Sequence, residues 1–243
     1  MIVAPIKTRV FKENENLVDF ITNHIPKLKN GSVLIVTSKI VALAEGRTEE
    51  RVDLTTKEKL IRRESDFALP TKWVWLTLKD NLVVASAGID ESNANGKFIL
   101  LPKDSQRSAV QIRTTLMKHY KVKRLGVIVP DSRTVPLRAG AIGLALGYAG
   151  IRGLRDYRGK KDIFGRKFKF ERVNVVDCLA SAAMVAMGDG DEQCPLAVIE
   201  DANVEFVESV RRSELRIPLE DDMYLPFIGQ LPIVKQARAR MKK

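Results

Sequence analysis

Short runs of apolar, often β-branched residues recur along the chain, separated by polar turns or by stretches of helical periodicity. The run VLIVT at 33–37 predicts a strand, and SKIVALAEGR directly after it predicts a short helix that ends at Gly46. Two further runs, WVWLTL from Trp73 and LVVASA from Leu82, are separated by the turn-prone residues KDN. This spacing predicts a β-hairpin.

The second half of the chain predicts two longer helices and three more strands. The runs FILL from Phe98, LGVIV from Leu125 and PLAVI from Pro195 have strand length, and Asp104 is placed to cap a helix between the first two. A second helix ends at Gly188. Its apolar side chains share one face: Val176, Leu179, Ala180, Ala183, Met184 and Met187. Strands in hairpin-like order with a few helices between them predict an α+β (mixed α/β) fold, with a largely antiparallel sheet and packed helices.

No repeat, low-complexity tract or linker rich in Pro, Gly or Ser divides the chain. Its 243 residues therefore predict a single domain, residues 1–243, with a smaller lobe as the alternative. The residues VKQARARMKK at 234–243 form a basic tail, which is more typical of a solvated end than of a binding segment.

Composition narrows the class of protein. Hydrophobic residues make up 45% and charged residues 29% of the chain, no apolar run is long enough to span a membrane, and the N-terminus lacks the apolar stretch of a signal peptide. These features predict a soluble, cytoplasmic protein. With two cysteines and two histidines, the chain cannot form a disulfide framework or a zinc site built on several histidines.

The formal net charge of +11 predicts attraction to polyanions, which include nucleic acids and small substrates that carry phosphate. Much of the excess lies in residues 150–172 and in the tail. A nucleic-acid-binding protein is therefore one alternative. It has little support, because aromatic platforms, helix-turn-helix spacing and zinc-ligand spacing are missing from the sequence. The P-loop and GxGxxG motifs are also missing, so any nucleotide would bind by an uncommon route.

Two aspartates follow predicted strands directly and are candidates for chemistry. Asp90 comes after LVVASA, and Asp131 comes after LGVIV. Carboxylates at the mouth of a sheet can meet there, and with neighbours such as Ser132 and Asn93 they offer the oxygen ligands that Mg²⁺ or Mn²⁺ prefers beside phosphates. The alternative, which spacing alone favours, is that both aspartates are turn formers or helix caps.

A third acidic segment, GDGDEQ from Gly188, follows the second predicted helix. Its glycines and carboxylates could enclose a metal ion or a nucleotide. A solvated turn is the simpler alternative, because the spacing of an EF-hand loop is absent. The glycines of RAGAIGLALGYAGIRG at 138–153 predict close packing or a bend lined by small side chains.

Five segments, in this order and at this spacing, resemble the family of coenzyme F420-0:L-glutamate ligases, and the resemblance covers about residues 5–200. The segments are VLIVTSKIVALAEGR, SAGIDESN, VIVPDSR, DYRGKKDIFGR and VVDCLASAAMVAMGDGDE. The resemblance implies an enzyme that uses GTP and a divalent cation, Mg²⁺ or Mn²⁺ with K⁺ as a further candidate, to join L-glutamate to a lactyl carboxylate on a deazaflavin phosphodiester through an acyl phosphate. It also implies a homodimer.

The resemblance implies roles for individual residues as well. Asp90 and Asp131 would be catalytic and would bind the divalent cation, together with Asp189 and with Ser132, where the family usually has threonine. The residues that would contact GTP are Pro5, Ile6, Lys7, Thr8, Ser38, Lys39, Asn93 and the loop Met187, Gly188, Asp189, Gly190, Asp191 and Glu192, which continues to Cys194.

Three departures from the family pattern point to a changed substrate. Where the family has a lysine that contacts GTP, this chain has Leu43, which has no ammonium donors. Cys178 stands where an acidic residue usually follows Asp177, and the TFGRP pattern after Asp131 is missing. A related ligase with a different acceptor, amino acid or nucleotide is therefore the second hypothesis.

A basic stretch in the second half of the chain fits anionic substrates, because guanidinium groups form paired hydrogen bonds with phosphate. Its cations include Arg158, Lys160, Lys161 and Arg166. An exposed, salt-bridged surface loop explains this stretch equally well, and the sequence leaves both interpretations open.

Overall fold

A computed structural model describes residues 1–52 and 54–229 of the chain, and the basic tail at 234–243 lies outside these described residues. The strands are β1 (Ile2–Ile6), β2 (Ser32–Val36), β3 (Thr48–Glu50), β4 (Phe67–Pro70), β5 (Trp75–Lys79), β6 (Leu82–Ala85), β7 (Lys97–Ile99), β8 (Leu125–Thr134), β9 (Ala141–Ala149), β10 (Leu154–Asp156), β11 (Arg172–Asn174) and β12 (Leu196–Glu200). The helices are α1 (Leu17–His24), α2 (Ser38–Ala44), α3 (Leu54–Arg63), α4 (Ser105–Tyr120), α5 (Val175–Met187) and α6 (Leu225–Ile228). None of these helices in the described part of the chain is long and apolar enough to cross a membrane.

Five strands form the central sheet in the order β1–β12–β2–β8–β9. Three of its pairings are antiparallel, and β2 pairs with β8 in parallel. The predicted α+β fold with a largely antiparallel sheet is therefore confirmed. All of β2 is buried, because this strand lies in the middle of the sheet between two layers of helices, and its position explains the continuous apolar run.

Helices cover both faces of the central sheet. On one face, α1, α2 and α4 pack against strand side chains such as Leu34 and Val127. On the other face, α5 packs against Val33 and Ile128, which alternate with the first pair along the same two strands. Burial of these apolar faces is the main stabilising contribution, at roughly 25 cal/mol per Å² of apolar surface.

The predicted signals at helix ends are confirmed. The carboxylate of Asp104 accepts a hydrogen bond from the backbone N–H of Arg107 at 3.0 Å and so caps the start of α4. Helix α2 ends two residues before Gly46, which has the left-handed φ of 63° that favours glycine after a helix. Helix α5 ends directly before Gly188.

The glycine-rich segment forms β9 and packs closely, which confirms the packing interpretation. A Cβ atom at Gly143 would lie 2.4 Å from the backbone carbon of Ala180 on α5. A Cβ atom at Gly147 would lie 2.2 Å from the carbonyl oxygen of Ser105 on α4. Neither position can hold a larger residue without moving backbone, so β9 lets helices approach the edge of the sheet from both faces.

A smaller group of elements lies between α2 and α4 in the sequence. Strand β3 pairs with β7, and β4, β5 and β6 form an antiparallel sheet that contains the predicted hairpin, β5–β6. Asp80 and Asn81 at its turn have φ values of 53° and 65°, the left-handed conformations that a tight turn of this type requires. Leu60 and Ile61 of α3 pack with Phe98 in a core cluster of their own.

The end of β8 differs from the prediction. The apolar run stops at Val129, but pairing with β9 continues to Thr134 beyond a β-bulge between Val129 and Pro130. Asp131 therefore lies within a strand rather than after one. The prediction was wrong because hydrophobicity reports burial, whereas the strand is maintained by backbone hydrogen bonds that polar residues can also make.

The position of Asp90 also differs from the prediction. A 3-10 turn over Ser86–Gly88 intervenes between β6 and Asp90, so the aspartate does not follow the strand directly. Asp90 is instead held by an isolated antiparallel bridge to Ile99, with both backbone hydrogen bonds at 2.9 Å. The smaller group of elements therefore fixes its backbone.

Residues 157–171 form an ordered projection, which we call the arm. Its base is the β10–β11 pair, and backbone hydrogen bonds such as that from Gly159 N–H to Phe168 O, at 2.9 Å, run along it. Where the structure describes partners for the arm, its hydrogen bonds stay within residues 156–171. Three large apolar side chains on the arm are 92%, 89% and 83% exposed: Ile163, Phe164 and Phe170.

Candidate functional site

Helix α2 and strand β8 bring the first pair of predicted site residues together. Because β2 and β8 are parallel, the start of α2 lies at the same end of the sheet as the last residues of β8. Ser38, the first residue of α2, is buried, and its Oγ donates to Oδ1 of Asp131 at 2.9 Å. This contact joins residues 93 positions apart, so it depends on the sheet topology.

Asp131 lies in an environment that disfavours its negative charge. Burial is the main cause of a pKa raised from 3.8 to about 6. The hydrogen bonds from Ser38 and from the N–H of Ser132 oppose this shift, whereas the negative charges of Asp90 and Asp189 add to it. Mutually repelling carboxylates in one region are typical of sites that bind cations or transfer protons.

Lys39, the second residue of α2, connects the smaller group of elements to the central sheet. Its Nζ lies 2.7 Å from Oδ2 of Asp90 and donates to the backbone oxygen of Ser92 at 2.9 Å. Burial pulls the pKa of Asp90 upward, but Lys39 and the N–H of Ser92 outweigh it, so this pKa lies below its usual value. Asp90 therefore remains ionised, with Lys39 as its counter-ion.

Asp189, in the loop after α5, belongs to the same electrostatic group although it lies at the surface. Desolvation raises the pKa of Asp189, and repulsion from Asp90 adds to the shift. The charge of Lys39 and a hydrogen bond from Ser132 act in the opposite direction. Since Asp189 also raises the pKa of Asp131, the three predicted carboxylates share one region.

The loop after α5 is held in its turn by a hydrogen bond to the carboxylate of Glu192, within the loop itself. Glu192 accepts a hydrogen bond from the N–H of Gly190 at 2.8 Å. A Cβ atom at Gly188 would lie 2.1 Å from the Glu192 carboxyl carbon, and Gly188 has a φ of 76°, so the turn requires glycine. Asn93 donates from Nδ2 to the Gly190 oxygen at 2.9 Å, which fastens the loop to the segment that carries Asp90.

The N-terminal segment reaches this loop through its last predicted residue. Pro5 and Ile6 belong to β1 and pair with β12. Thr8 is buried, and its backbone N–H donates to the carbonyl oxygen of Gln193 at 2.9 Å. Thr8 therefore lies beside the loop after α5, and its neighbour Lys7 is exposed.

The remaining predicted nucleotide contacts divide between core and solvent. The side chain of Met187 is buried in the core under α5, because this position continues the apolar face of the helix. Asp191 and Glu192 are exposed. A ligand in this loop could thus contact only the backbone of Met187, whereas it could contact the side chains of Asp191 and Glu192.

The donor set fits a divalent cation that is shared with a ligand. The oxygen atoms of Asp131, Asp189 and Ser132 are hard donors, and a cation would relieve the repulsion between the carboxylates. Across residues 1–52 and 54–229, no three His, Cys, Asp or Glu side chains come close enough to enclose a metal ion. Mg²⁺ commonly binds through one or two carboxylates plus phosphate oxygens, so the site fits such a cation together with a phosphate-bearing ligand.

Leu43 provides an apolar contact where the resemblance leads one to expect a lysine. Its partly buried side chain packs against the core beneath α2 and against a small cluster that includes Ala94 and Ile99. The side chain therefore joins the central sheet to the smaller group of elements. It brings no positive charge to the site.

Sequence reasoning missed two charged residues near the site, Asp177 and Arg133. Asp177, on α5, accepts hydrogen bonds from the N–H of Ala145 at 2.9 Å and from Nδ2 of Asn174 at 2.7 Å. Burial raises the pKa of Asp177, while these bonds and the charge of Arg133 oppose the shift. Arg133 follows Asp131 by two residues on β8. The signal that could have found them is the pairing of β8 with β9, which local periodicity does not show.

The basic residues noted in the sequence lie on the arm: Arg158, Lys160, Lys161 and Arg166. Arg158 forms an ion pair with Asp156, and Nζ of Lys160 lies 5.4 Å from the centre of the Tyr157 ring. The arm begins at the N-terminal end of α5, whereas the acidic loop follows its C-terminal end, about 20 Å away along this helix. Within the described part of one chain, no hydrogen bond links the arm to the carboxylate site.

The sequence is similar to those of several ligases. The chain is 32% identical over 242 residues to the coenzyme F420:L-glutamate ligase of Methanocaldococcus jannaschii, covering 91% of this chain and 96% of that protein. It is 32% identical over 228 residues to the ligase of the same name from Methanopyrus kandleri, and 28% identical over 226 residues to that of Archaeoglobus fulgidus. These alignments cover 84% of this chain in both cases, and 87% and 90% of the two relatives.

These likenesses place the protein among ligases. The chain belongs to the F420-0:Gamma-glutamyl ligase family, whose model matches residues 5–201. That match contains every predicted site residue, from Pro5 to Glu192.

Proposed function

We propose that the protein is a GTP- and divalent-metal-dependent ligase that joins L-glutamate to the carboxylate of coenzyme F420-0. Family membership supports the substrates, because the relatives are named for coenzyme F420 and L-glutamate. The observation that carries the proposal is the meeting of Asp90, Asp131 and Asp189 beside Ser38 and Lys39 at one end of the central sheet.

The proposed reaction has two steps. An oxygen of the acceptor carboxylate attacks the γ-phosphorus of GTP, and the bond from that phosphorus to the bridging oxygen breaks, so an acyl phosphate and GDP form. The amine nitrogen of glutamate then attacks the acyl carbon. An amide bond forms as the carbon–oxygen bond to phosphate breaks, and the amine gives up a proton while inorganic phosphate leaves.

The site residues act mainly by positioning and by charge. Ser38 fixes the orientation of Asp131, and Lys39 fixes that of Asp90, so both carboxylates are in place before substrates arrive. A divalent cation held by Asp131, Asp189 and Ser132 would offset the negative charge of the nucleotide phosphates. Phosphoryl transfer depends largely on such positioning and charge stabilisation.

A second candidate function is a related ligase with another acceptor, amino acid or nucleotide. Leu43 favours it, because an apolar side chain cannot replace the phosphate contact of a lysine. Lys39 is already paired with Asp90, so it does not simply replace the phosphate contact that a lysine at position 43 would make. The fold and the carboxylate site would be the same for both candidates.

Incubation of the full chain with nucleotide, metal, L-glutamate and F420-0 tests the first candidate. We expect an amide product, detected by mass spectrometry, that requires GTP and either Mg²⁺ or Mn²⁺ and forms in equal amounts with released phosphate. Product with ATP, another amino acid or another carboxylate would favour the second candidate. A chain that hydrolyses no nucleotide with any acceptor, but binds unrelated oligonucleotides in a salt-dependent way, would instead support nucleic-acid binding.

We also propose that the protein is a homodimer, with an interface that includes the arm. Ile163 and Phe164 support this assignment, because large apolar side chains on an ordered projection are more stable when covered. Light scattering should give a dimer mass for the wild type and a lower mass for a variant with both residues changed to Ser. Trp73→Ser, at an 83% exposed position outside the arm, is the matched control. A double variant with the wild-type mass would place the interface elsewhere.

A further inference from the structure

Arg133 has hydrogen-bonding capacity that residues 1–52 and 54–229 do not use. Its Nε is buried and has no hydrogen-bond partner among the described residues. Buried donors are nearly always paired in folded proteins, and a guanidinium group carries five N–H donors, so an unpaired one requires an explanation.

The neighbouring acidic residue does not supply that partner. Asp177 attracts Arg133 through its charge, but its two carboxylate oxygens already accept hydrogen bonds from Ala145 and Asn174. No ion pair within 4.0 Å joins Asp177 to Arg133. Asp177 can therefore hold the guanidinium group nearby without satisfying its donors.

Arg133 also lies where the proposed reaction needs positive charge. It follows Asp131 by two residues along an extended strand, a separation of about 7 Å between their backbones. Lys39 is committed to Asp90, and Leu43 carries no charge. The proposed nucleotide, glutamate and acceptor are all anions, so each offers oxygen atoms that the planar fork of an arginine can bind.

We infer that Arg133 binds a phosphate or carboxylate group of a reactant and thereby helps to set the substrate preference of this chain. This inference rests on the proposed function. The common chemistry is an oxyanion that accepts hydrogen bonds from the guanidinium group. The nucleotide phosphates, the glutamate carboxylates and the acceptor are its possible sources, and binding measurements with each reactant separate them.

Three variants test the assignment: Arg133→Gln, which removes the charge, Arg133→Lys, which keeps the charge without the fork, and Arg152→Gln as the control. Arg152 is an exposed arginine paired with Glu205, so its loss changes the net charge equally. For one reactant, we expect Kd or KM to rise roughly 10- to 100-fold in Arg133→Gln, with a smaller rise in Arg133→Lys. The control should match the wild type, and kcat should change less than KM.

The alternative is that Arg133 has only a structural role. In that case Arg133→Gln would lower the thermal midpoint, Asp177→Asn would restore it, and every Kd and KM would equal the wild-type value. If Arg133→Gln does not fold, Arg133→Lys decides by the same KM comparison.

A measurement without catalysis separates this inference from the proposed function. Pyrophosphate, inorganic phosphate and L-glutamate are the probes, each at millimolar concentration. At least one of them should raise the thermal midpoint of the wild type and of Arg152→Gln, but not that of Arg133→Gln. Equal stabilisation of the three proteins by every probe would overturn the inference even if the wild type is an active ligase. Loss of stabilisation in Arg133→Gln would support it even if the wild type fails to join glutamate to F420-0.

Discussion

At the carboxylate site, burial and neighbouring groups from distant parts of the sequence shift the pKa values of the carboxylates. On the arm, the charged side chains are exposed to water and, within the described part of the chain, pair only with residues close by in the sequence. Ser38 contacts Asp131, and Lys39 contacts Asp90, over long sequence distances. The pKa of Asp131 is raised and that of Asp90 is lowered. On the arm, Arg158 pairs with Asp156, two residues before it, at the surface. Charge density alone would favour the arm as the functional region, whereas burial and topology favour the carboxylate site.

The sharpest test of this comparison is the removal of one carboxylate from each region. Asp131→Asn should lower amide formation by roughly 10²–10⁴-fold, because it removes a negative charge that would hold the proposed cation beside the nucleotide phosphates. Asp156→Asn, at the base of the arm, should leave turnover near the wild-type value. Steady-state rates of product formation measure both, and similar losses in the two variants would contradict the distinction.

The same substitution should stabilise the protein when metal and nucleotide are absent. The pKa of Asp131 is raised from 3.8 in the unfolded chain to about 6 in the folded one, so folding favours the protonated form. Below about pH 4, burial of Asp131 therefore does not lower the free energy of unfolding of the wild type. This free energy falls by up to roughly 3 kcal/mol as pH rises through 6. Asparagine carries no charge and avoids this loss.

Urea unfolding in the presence of a chelator measures this difference. We expect Asp131→Asn to be more stable than the wild type at pH 7.5 and nearly equal to it at pH 4. An Asn variant that is less stable at pH 7.5 would show that the aspartate charge is well compensated in the folded protein.

Lys39 should matter less than Asp131 but clearly more than any cation of the arm. Lys39→Met leaves Asp90 without its counter-ion and removes a positive charge near the proposed phosphates, so nucleotide affinity should fall roughly 10- to 100-fold. Lys97→Met is the matched control, because Lys97 pairs with Glu13 and Glu50 away from the carboxylates. Calorimetry with Mn²⁺ and GTP measures both, and equal affinities would argue against a role for Lys39.

The smallest effect should come from the exposed ion pair of the arm. Arg158→Gln should leave the urea midpoint unchanged within error at moderate salt, because exposed pairs between near neighbours add little stability and are screened. A clear shift that disappears in high salt would mean that the arm contributes more through charge than its exposure indicates.

Much of the fold followed from local signals in the sequence. The continuous apolar run of β2, the KDN turn between β5 and β6 and the cap at Asp104 each depend on residues a few positions apart, and each was predicted. Positions after predicted strands and a helix made the carboxylates candidates, family resemblance gave them roles, and the structure brings Asp90, Asp131 and Asp189 together.

What could not be predicted depends on contacts between distant segments. The extension of β8 past Val129 requires β9, whose glycines have no strand-like pattern of their own. The unpaired donor of Arg133 arises from that pairing and from α5, which lies 42 or more residues further along the chain. The spacing of residues within about a dozen positions does not indicate which distant segments pair or pack together.

The bulge between Val129 and Pro130 gives β8 two separate uses along one continuous strand. Residues before it alternate between the two cores, and residues after it include the predicted site residues Asp131 and Ser132. The extra residue lies on the partner strand, because Val129 pairs with Gly147 and Pro130 with Ala145, which leaves Leu146 of β9 unpaired. Since a bulge bends its strand and increases the local twist, loss of Leu146 would change the angle at which the end of β8 presents Asp131 and Ser132. Substrate preference on this framework could therefore change through a one-residue deletion in β9, a strand that contains no predicted site residue.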